Sequence, residues 1–255
     1  MRKITNNNSI EENYNFLEDI IDSHISELLK DRIKNQQKIL EICHLGKFLI
    51  FFNGDLNISQ ISEKPDFILN DGKIKIGLEH QIIVDFKPKE REGFFKNIFD
   101  RAEELLKADN TLPNFLANCY IKPYVNFKIN QKEELIETVR VIIKEYVLNN
   151  NLPDNPIIDR ITHTPHSQKS VSSNLGAWWR KDISAKIVEK AVGKKEKKLV
   201  NYRKTGILEQ WLLLVIGSTG ESSYDMNKDF EMELKTNFNR VYILEDFYNN
   251  LYQLK

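Results

Sequence analysis

The chain has 255 residues, 41% of them apolar and 29% charged, with 37 basic side chains against 37 acidic ones and a mean hydropathy of −0.47. These are values of a soluble globular protein at the upper size of one domain, and no apolar run approaches the roughly 18 to 20 residues of a membrane span. A net charge of zero says nothing for a polyanionic partner, so the distribution of charge must carry that question.

The opening "MRKITNNNSIEENYN" lacks the apolar core and cleavage site of a secretory signal. Cys43 and Cys119 form neither a CxxC pair nor a disulfide framework, which predicts buried thiols and a cytoplasmic setting. Residues 15–43 predict a long helix, with Phe16, Ile20, Ile21, Ile25, Leu28, Leu29 and Ile33 at helical spacing. "KFLIFF" at 47–52 reads as an apolar strand stopped by Asn53-Gly54, and "KPDFILNDGKIKIGLEHQIIVD" at 64–85 as a hairpin. An amphipathic helix is expected at 92–108, a strand at 119–129 that Pro123 confines to an edge or splits, and a helix at 131–148. A turn-rich connector at 149–156 precedes a strand at 157–163 and a polar loop at 164–176. A basic helix follows from about Trp178 to Lys204, then a strand at 211–217, a short helix near 229–236, a strand at 240–245 and a terminal helical turn. This alternation predicts an α/β protein, a mixed sheet flanked by helices.

The hairpin holds the densest chemistry. Asp-Gly suits the positive φ of a tight turn, and a two-residue loop at Asp71-Gly72 sets Asp66 opposite Gly77. Asp66, Glu79 and Gln81 then share one face, while His80 falls on the apolar face with a structural ring. Two carboxylates converging on the bare space beside a glycine repel each other unless a cation lies between them, and Mg²⁺ favours such hard oxygen ligands. A plain solvated face is the other reading of the same spacing. Further on, residues 186–204 carry eight basic residues against two acidic ones. Lys186, Lys190, Lys194 and Lys198 recur every fourth residue, a stripe that suits a phosphate backbone or simply faces water. Trp178 and Trp179 are read as base-stacking residues or core anchors, with at least one in the core. His163 and His166 lack the spacing of a closed zinc site, and "VIGSTGES" at 215–222 lacks the G-K-[ST] of a phosphate loop.

"PDF" followed by "IGLEHQ", with a helix before and a basic helix and core strand after, resembles the PD-(D/E)xK phosphodiesterase superfamily in a Glu-x-Gln variant. The likeness covers residues 15–85 and 178–245. It implies a single restriction-endonuclease-like domain over 1–255, with an inserted α/β segment at about 86–177. It further implies that Asp66, Glu79 and the main-chain carbonyl of His80 hold Mg²⁺ or Mn²⁺, with Glu41 as a further carboxylate. Gln81 stands where the family usually has a lysine. A replacement charge is expected from the basic helix, Lys190 first and Lys194 or Lys195 next. Nucleic-acid binding falls to Lys186, Lys190, Lys194, Lys195, Lys198 and Arg203. The expected activity is metal-dependent hydrolysis of DNA, rather than RNA, in a restriction, repair or phage-defence setting, where a homodimer or a partner protein would suit double-strand cutting. The alternative is a protein of the same fold that binds nucleic acid or joins a complex with weak or no catalysis, and Gln81 favours it.

Overall fold

The computed structural model describes residues 1–122, 125, 129–175 and 179–255. In chain order its elements are β1 (Arg2–Ile4), α1 (Ile10–Ile25), α2 (Arg32–Leu49), β2 (Asn57–Ile61), β3 (Phe67–Asn70), β4 (Lys75–Ile82), α3 (Phe86–Lys107), β5 (Phe115–Ile121) and α4 (Lys132–Asn149). There follow β6 (Ile158–Pro165), β7 (Ser170–Asn174), β8 (Lys181–Asp182), α5 (Ala185–Glu196), α6 (Leu199–Arg203), β9 (Glu209–Ile216), β10 (Tyr224–Asp225), β11 (Arg240–Glu245) and β12 (Asn250–Gln253). The chain divides into two compact units. One comprises Met1–Val84, Arg180–Thr219 and Ser223–Lys255; the other comprises Asp85–Trp179 and Gly220–Ser222.

The first unit is built on a seven-stranded mixed sheet in the order β1-β12-β11-β9-β4-β3-β2. Its centre, β4, β9 and β11, is parallel, and the flanking pairs are antiparallel. β9 reads "EQWLLLVI", a nearly continuous apolar run, because both of its faces are covered. Trp211, Leu213 and Val215 pack with Ile42, Leu45, Phe48 and Leu49 of α2, while Leu212, Leu214 and Ile216 pack with Val188, Val192, Leu199 and Tyr202 of α5 and α6. A mixed sheet with helices on both faces results.

Several boundaries differ from the sequence expectation for local reasons. The first helix begins earlier, at a capping box in which Ser9 and Glu12 bond each other's main-chain N–H groups at 3.1 and 2.6 Å. It stops before Arg32, where the Asp31 carboxylate accepts from Lys34 N at 3.2 Å and opens a second helix. "KFLIFF" is not a strand but the buried end of α2 and a short 3₁₀ turn at Ile50–Phe52. Asn53 and Gly54, with φ of 49° and 86°, are its C-terminal cap. A short apolar run does not distinguish a buried strand from a buried helix end, and here helix spacing won. β1, β2 and β7 were not expected. No helix forms near 229–236, and the expected terminal helical turn is β12, hairpinned onto β11. The continuous basic helix breaks into α5 and α6, so Lys198 leaves the helix that carries Lys186, Lys190 and Lys194. Trp179 is 96% exposed and anchors no core, while Trp178 and Pro123 lie outside the described residues.

The second unit has a three-stranded sheet, β6-β5-β7, with β5 central, antiparallel to β6 and parallel to β7. β5 buries every second residue, and Phe115, Ala117, Cys119 and Ile121 meet Phe95, Phe99 and Ala102 of α3 and Val139 and Ile143 of α4. Burial pushes the Cys119 thiol up to about 12, so it is inert as a nucleophile. Both Cys43 and Cys119 are free. Ser222 donates to the Glu92 carboxylate from its N–H and its hydroxyl, each at 2.8 Å, which fixes the Gly220–Ser222 strap to α3. Among the described residues no helix is long and apolar enough to cross a membrane.

The β3–β4 register is shifted by two residues from the expected one. Ile68 pairs with Gly77 and Asn70 with Lys75, which leaves a four-residue loop. Asp71 selects that loop: its Oδ1 accepts from Lys73 N at 2.9 Å and Ile74 N at 2.8 Å, while Asn70 Oδ1 accepts from Gly72 N at 2.8 Å. A shift of two keeps every side chain on its expected face. The space beside Gly77 is not empty, however. A Cβ there would meet Gln210 Oε1 at 2.5 Å and Nε2 at 2.8 Å. Gln210 is fully buried, and its Nε2 donates to the Ile207 carbonyl at 2.8 Å. Gly77→Ala should therefore cost about 1–3 kcal/mol in urea unfolding, and Gln210→Ala in the same chain should recover most of that loss.

Candidate active site

Beyond the last β3–β4 pair, Phe67 with Leu78, the next two residues are Asp66 and Glu79. The shifted register, continued by one step, runs Asp66 across from Glu79 rather than on a diagonal, and the Glu79 charge acts on the Asp66 carboxyl. On β9 the row facing α5 and α6 turns apolar after Gln210, with Leu212, Leu214 and Ile216, and on β11 it holds Val241 and Ile243; on β4 that row is Gly77, Glu79 and Gln81. The polar row opens into a cleft of about 720 Å³, lined by Asp66, Glu79, Gln81, Glu41, Lys194, Lys195, Lys198, Asn201 and Tyr202 among others.

Glu79 is only 3% exposed. Its Oε1 takes the Lys195 ammonium at 2.5 Å, and Lys195 is itself 13% exposed at the side chain. Burial, and then a hydrogen bond to Glu79, holds the Tyr202 hydroxyl in its protonated form. Glu79 Oε2 and Gln81 Oε1 are buried without a hydrogen-bond partner. Asp66 is half-buried, and its Oδ2 accepts from His80 N at 2.8 Å. Burial, then the Glu79 charge, pushes the Asp66 carboxyl up to about 6, against the opposing pull of the His80 amide and Lys195.

The remaining predicted residues divide. Glu41 lines the cleft, held by Gln37 at 3.1 Å and Lys38 at 3.4 Å, and its charge adds to the upward shift of Asp66. Lys194 and Lys198 also line it and are exposed. Lys190, expected first as the replacement cation, is exposed on α5 away from the cleft lining, as is Lys186. Lys195 is the lysine that reaches Glu79. Arg203 is turned to the Asn237 carbonyl at 3.0 Å. The His80 ring points to the opposite face of the sheet, against His44. Tyr202 and Asn201 were not singled out from the sequence, although Lys195, Lys198 and Tyr202 stand at i, i+3 and i+7, the spacing of one helix face.

The donor set suits a hard divalent cation. Two unpartnered oxygens, Glu79 Oε2 and Gln81 Oε1, border the cleft, and the Asp66 carboxyl resists ionising beside Glu79 until positive charge arrives. Among the described residues no three His, Cys, Asp or Glu side chains gather into a metal-holding group. A Mg²⁺ site needs no such group, since one or two carboxylates and several waters suffice. Set against family models, curated proteins and solved structures, the chain gives no match.

The raised Asp66 pKa has a sign that can be measured. The folded value, about 6, lies above the unfolded 3.8, so the stability it contributes is full below pH 3.8 and is lost as pH rises through about 6. Asp66→Asn, unfolded in urea with a chelator present, should match wild type near pH 4 and be more stable by about 1–2 kcal/mol at pH 8. Equal stabilities at pH 8 would contradict the assigned strain.

Proposed function

We propose that the cleft is the active site of a metal-dependent nuclease of restriction-endonuclease-like fold, hydrolysing phosphodiester bonds in DNA. The observation that carries this reading is that Asp66, just ahead of β3, and Glu79 of β4 line one cleft and act on each other's charge, with the Lys195 ammonium on one Glu79 oxygen and no partner on the other. The mixed sheet, with its antiparallel β3–β4 pair leading into the parallel β4–β9 pair, supports it as well. DNA as the substrate, a cytoplasmic setting and a role in restriction, repair or phage defence follow from the family resemblance.

Asp66, Glu79 and the His80 carbonyl would hold the cation, and Gln81, whose Oε1 has no partner, lines the same cleft. A bound Mg²⁺ or Mn²⁺ lowers the pKa of a water and offsets charge on the scissile phosphate. The chain's own side chains do the rest. Gln81 accepts a hydrogen bond from the attacking water and orients it, but brings no charge. Lys195 brings the charge that Gln81 lacks, meeting the negative charge that grows on the phosphate. Tyr202, which lines the cleft beside Glu79, stays protonated there and adds a hydroxyl to the carboxylate's surroundings. Lys194 and Lys198, exposed at the rim, hold flanking phosphates. A second reading, binding without cleavage, rests on the uncharged Gln81.

The test is cleavage of plasmid and linear DNA, and of RNA, in Mg²⁺ and Mn²⁺. Asp66→Ala and Glu79→Gln should each lose more than about 10³-fold in kcat, and Lys195→Met about 10²-fold or more. A wild type that binds DNA but cuts nothing would leave the second reading standing. Lys194→Ala with Lys198→Ala should instead raise KM and flatten its dependence on salt. The rate should fall on the acid side with an apparent pKa at or below about 6, since protonated Asp66 cannot hold a cation and cation binding favours its ionised form.

A further inference from the structure

On the α2 face of β4, opposite the row of Glu79 and Gln81, an otherwise apolar layer contains a run of polar side chains. His44 and His80 are 4% and 5% exposed, on the α2 and β4 segments that also bury Ile42, Leu45, Phe48 and Leu78. Their rings lie 24° from parallel with centroids 5.2 Å apart, and His44 Nδ1 stands 3.1 Å from His80 Nε2. The other His44 nitrogen, Nε2, faces Asp246 Oδ1 at 3.7 Å. The Lys47 ammonium closes the row, 2.6 Å from the same Oδ1 and 3.1 Å from the Asp246 carbonyl. Apolar residues could fill this layer without the desolvation that four such groups cost, so packing alone does not explain them.

Their position suggests the reason. The β3–β4 ladder ends at the Phe67–Leu78 pair, so from Glu79 onward β4 is laddered only to β9. At His80 the side chain is tied backwards to α2 through His44, and to the turn after β11 through Asp246. The main-chain N–H of the same residue points the other way and donates to Asp66 Oδ2 at 2.8 Å. That hydrogen bond works against the repulsion between Asp66 and Glu79.

We propose that His44, backed by Asp246 and Lys47, is a positioning residue for the cation-holding pair: it fixes His80, whose main-chain N–H holds Asp66 across from Glu79. This rests on the nuclease reading, and it assigns the buried row a task in the reaction although none of its side chains touches the substrate. Removing the support deletes neither carboxylate nor Lys195 but lets Asp66 drift from the position in which it would share a cation with Glu79.

The experiment compares the full-length wild type with His44→Leu, Asp246→Asn and His44→Gln. It reads Mn²⁺ binding by calorimetry, kcat and KM for DNA cleavage, and urea unfolding. His44→Leu should bind Mn²⁺ about tenfold more weakly and lose about 10- to 100-fold in kcat, the range for groups that orient metal ligands. KM for DNA should stay within about twofold, because Lys194 and Lys198 are untouched. His44→Gln, whose amide can still bond His80 Nε2, should recover most of both losses. Asp246→Asn should weaken Mn²⁺ binding in the same direction by a smaller factor, and it decides the matter if His44→Leu does not fold. Variants that lose stability yet bind Mn²⁺ as wild type does would reduce the row to a structural one and overturn the proposal. A wild type that neither binds Mn²⁺ nor cuts DNA would instead sink the nuclease reading on which it rests.

Discussion

Asp66 and Glu79 are held face to face at the point where the sheet turns from dry core to open cleft, and much of the first unit serves to keep them there. Left alone, two half-desolvated carboxylates would separate or protonate, and the rise of Asp66 to about 6 records that tendency. Three groups oppose it: the Lys195 ammonium on Glu79, the Tyr202 hydroxyl beside it and the His80 amide on Asp66. Each comes from a different element, so the pair depends on α5, α6 and β4 packing together. Breaking a buried ion pair by removing one partner costs several kcal/mol, which ties the fold of this unit to the integrity of the cleft.

β4 divides the work between its faces. Its odd-numbered residues 77, 79 and 81 form the polar row toward α5 and α6, and its even-numbered residues 76, 78 and 80 face α2. Strand alternation lets one segment of the chain serve the cleft and the support behind it without compromise. The neighbouring strand contributes by filling, since Gln210 of β9 occupies the volume that the absent Gly77 side chain leaves. The cleft therefore begins at Glu79, not at Gly77.

The alternation within "KIKIGLEHQI" and the Asn-Asp-Gly turn made the faces of Asp66, Glu79, Gln81 and His80 legible, because side-chain facing survives a two-residue change of register. The register itself was not legible. It depends on the Asp71 carboxylate taking two main-chain amides, which competes closely with a tight turn of the same composition. α4, β9 and β11 followed from periodicity and apolar runs, while β2 and β7, polar on one side and short, carry almost no pattern. The lysine that reaches Glu79 could be assigned to the basic helix but not to a residue. Lys190 and Lys195 share α5 but stand about 140° apart around it, and it is Lys195 that reaches Glu79. Support from His44 and Asp246 was invisible, since no local pattern joins residues that far apart in the chain.

The crossover from β4 to β9 has a consequence in time. Ile82 ends one strand and Glu209 opens its parallel neighbour, and the second unit, apart from Gly220–Ser222, is synthesised between them. Asp66 and Glu79 therefore leave the ribosome long before Lys195 and Tyr202 exist to receive them. Until then the hairpin has an acid at the position that later becomes core, and no ammonium to set against it. Parallel pairing across such a separation is slow to close, so the first unit gains its native order only near the end of translation. A chain interrupted in the second unit would carry both carboxylates and still have no cleft, which delays any activity of this site until almost the entire chain has been made.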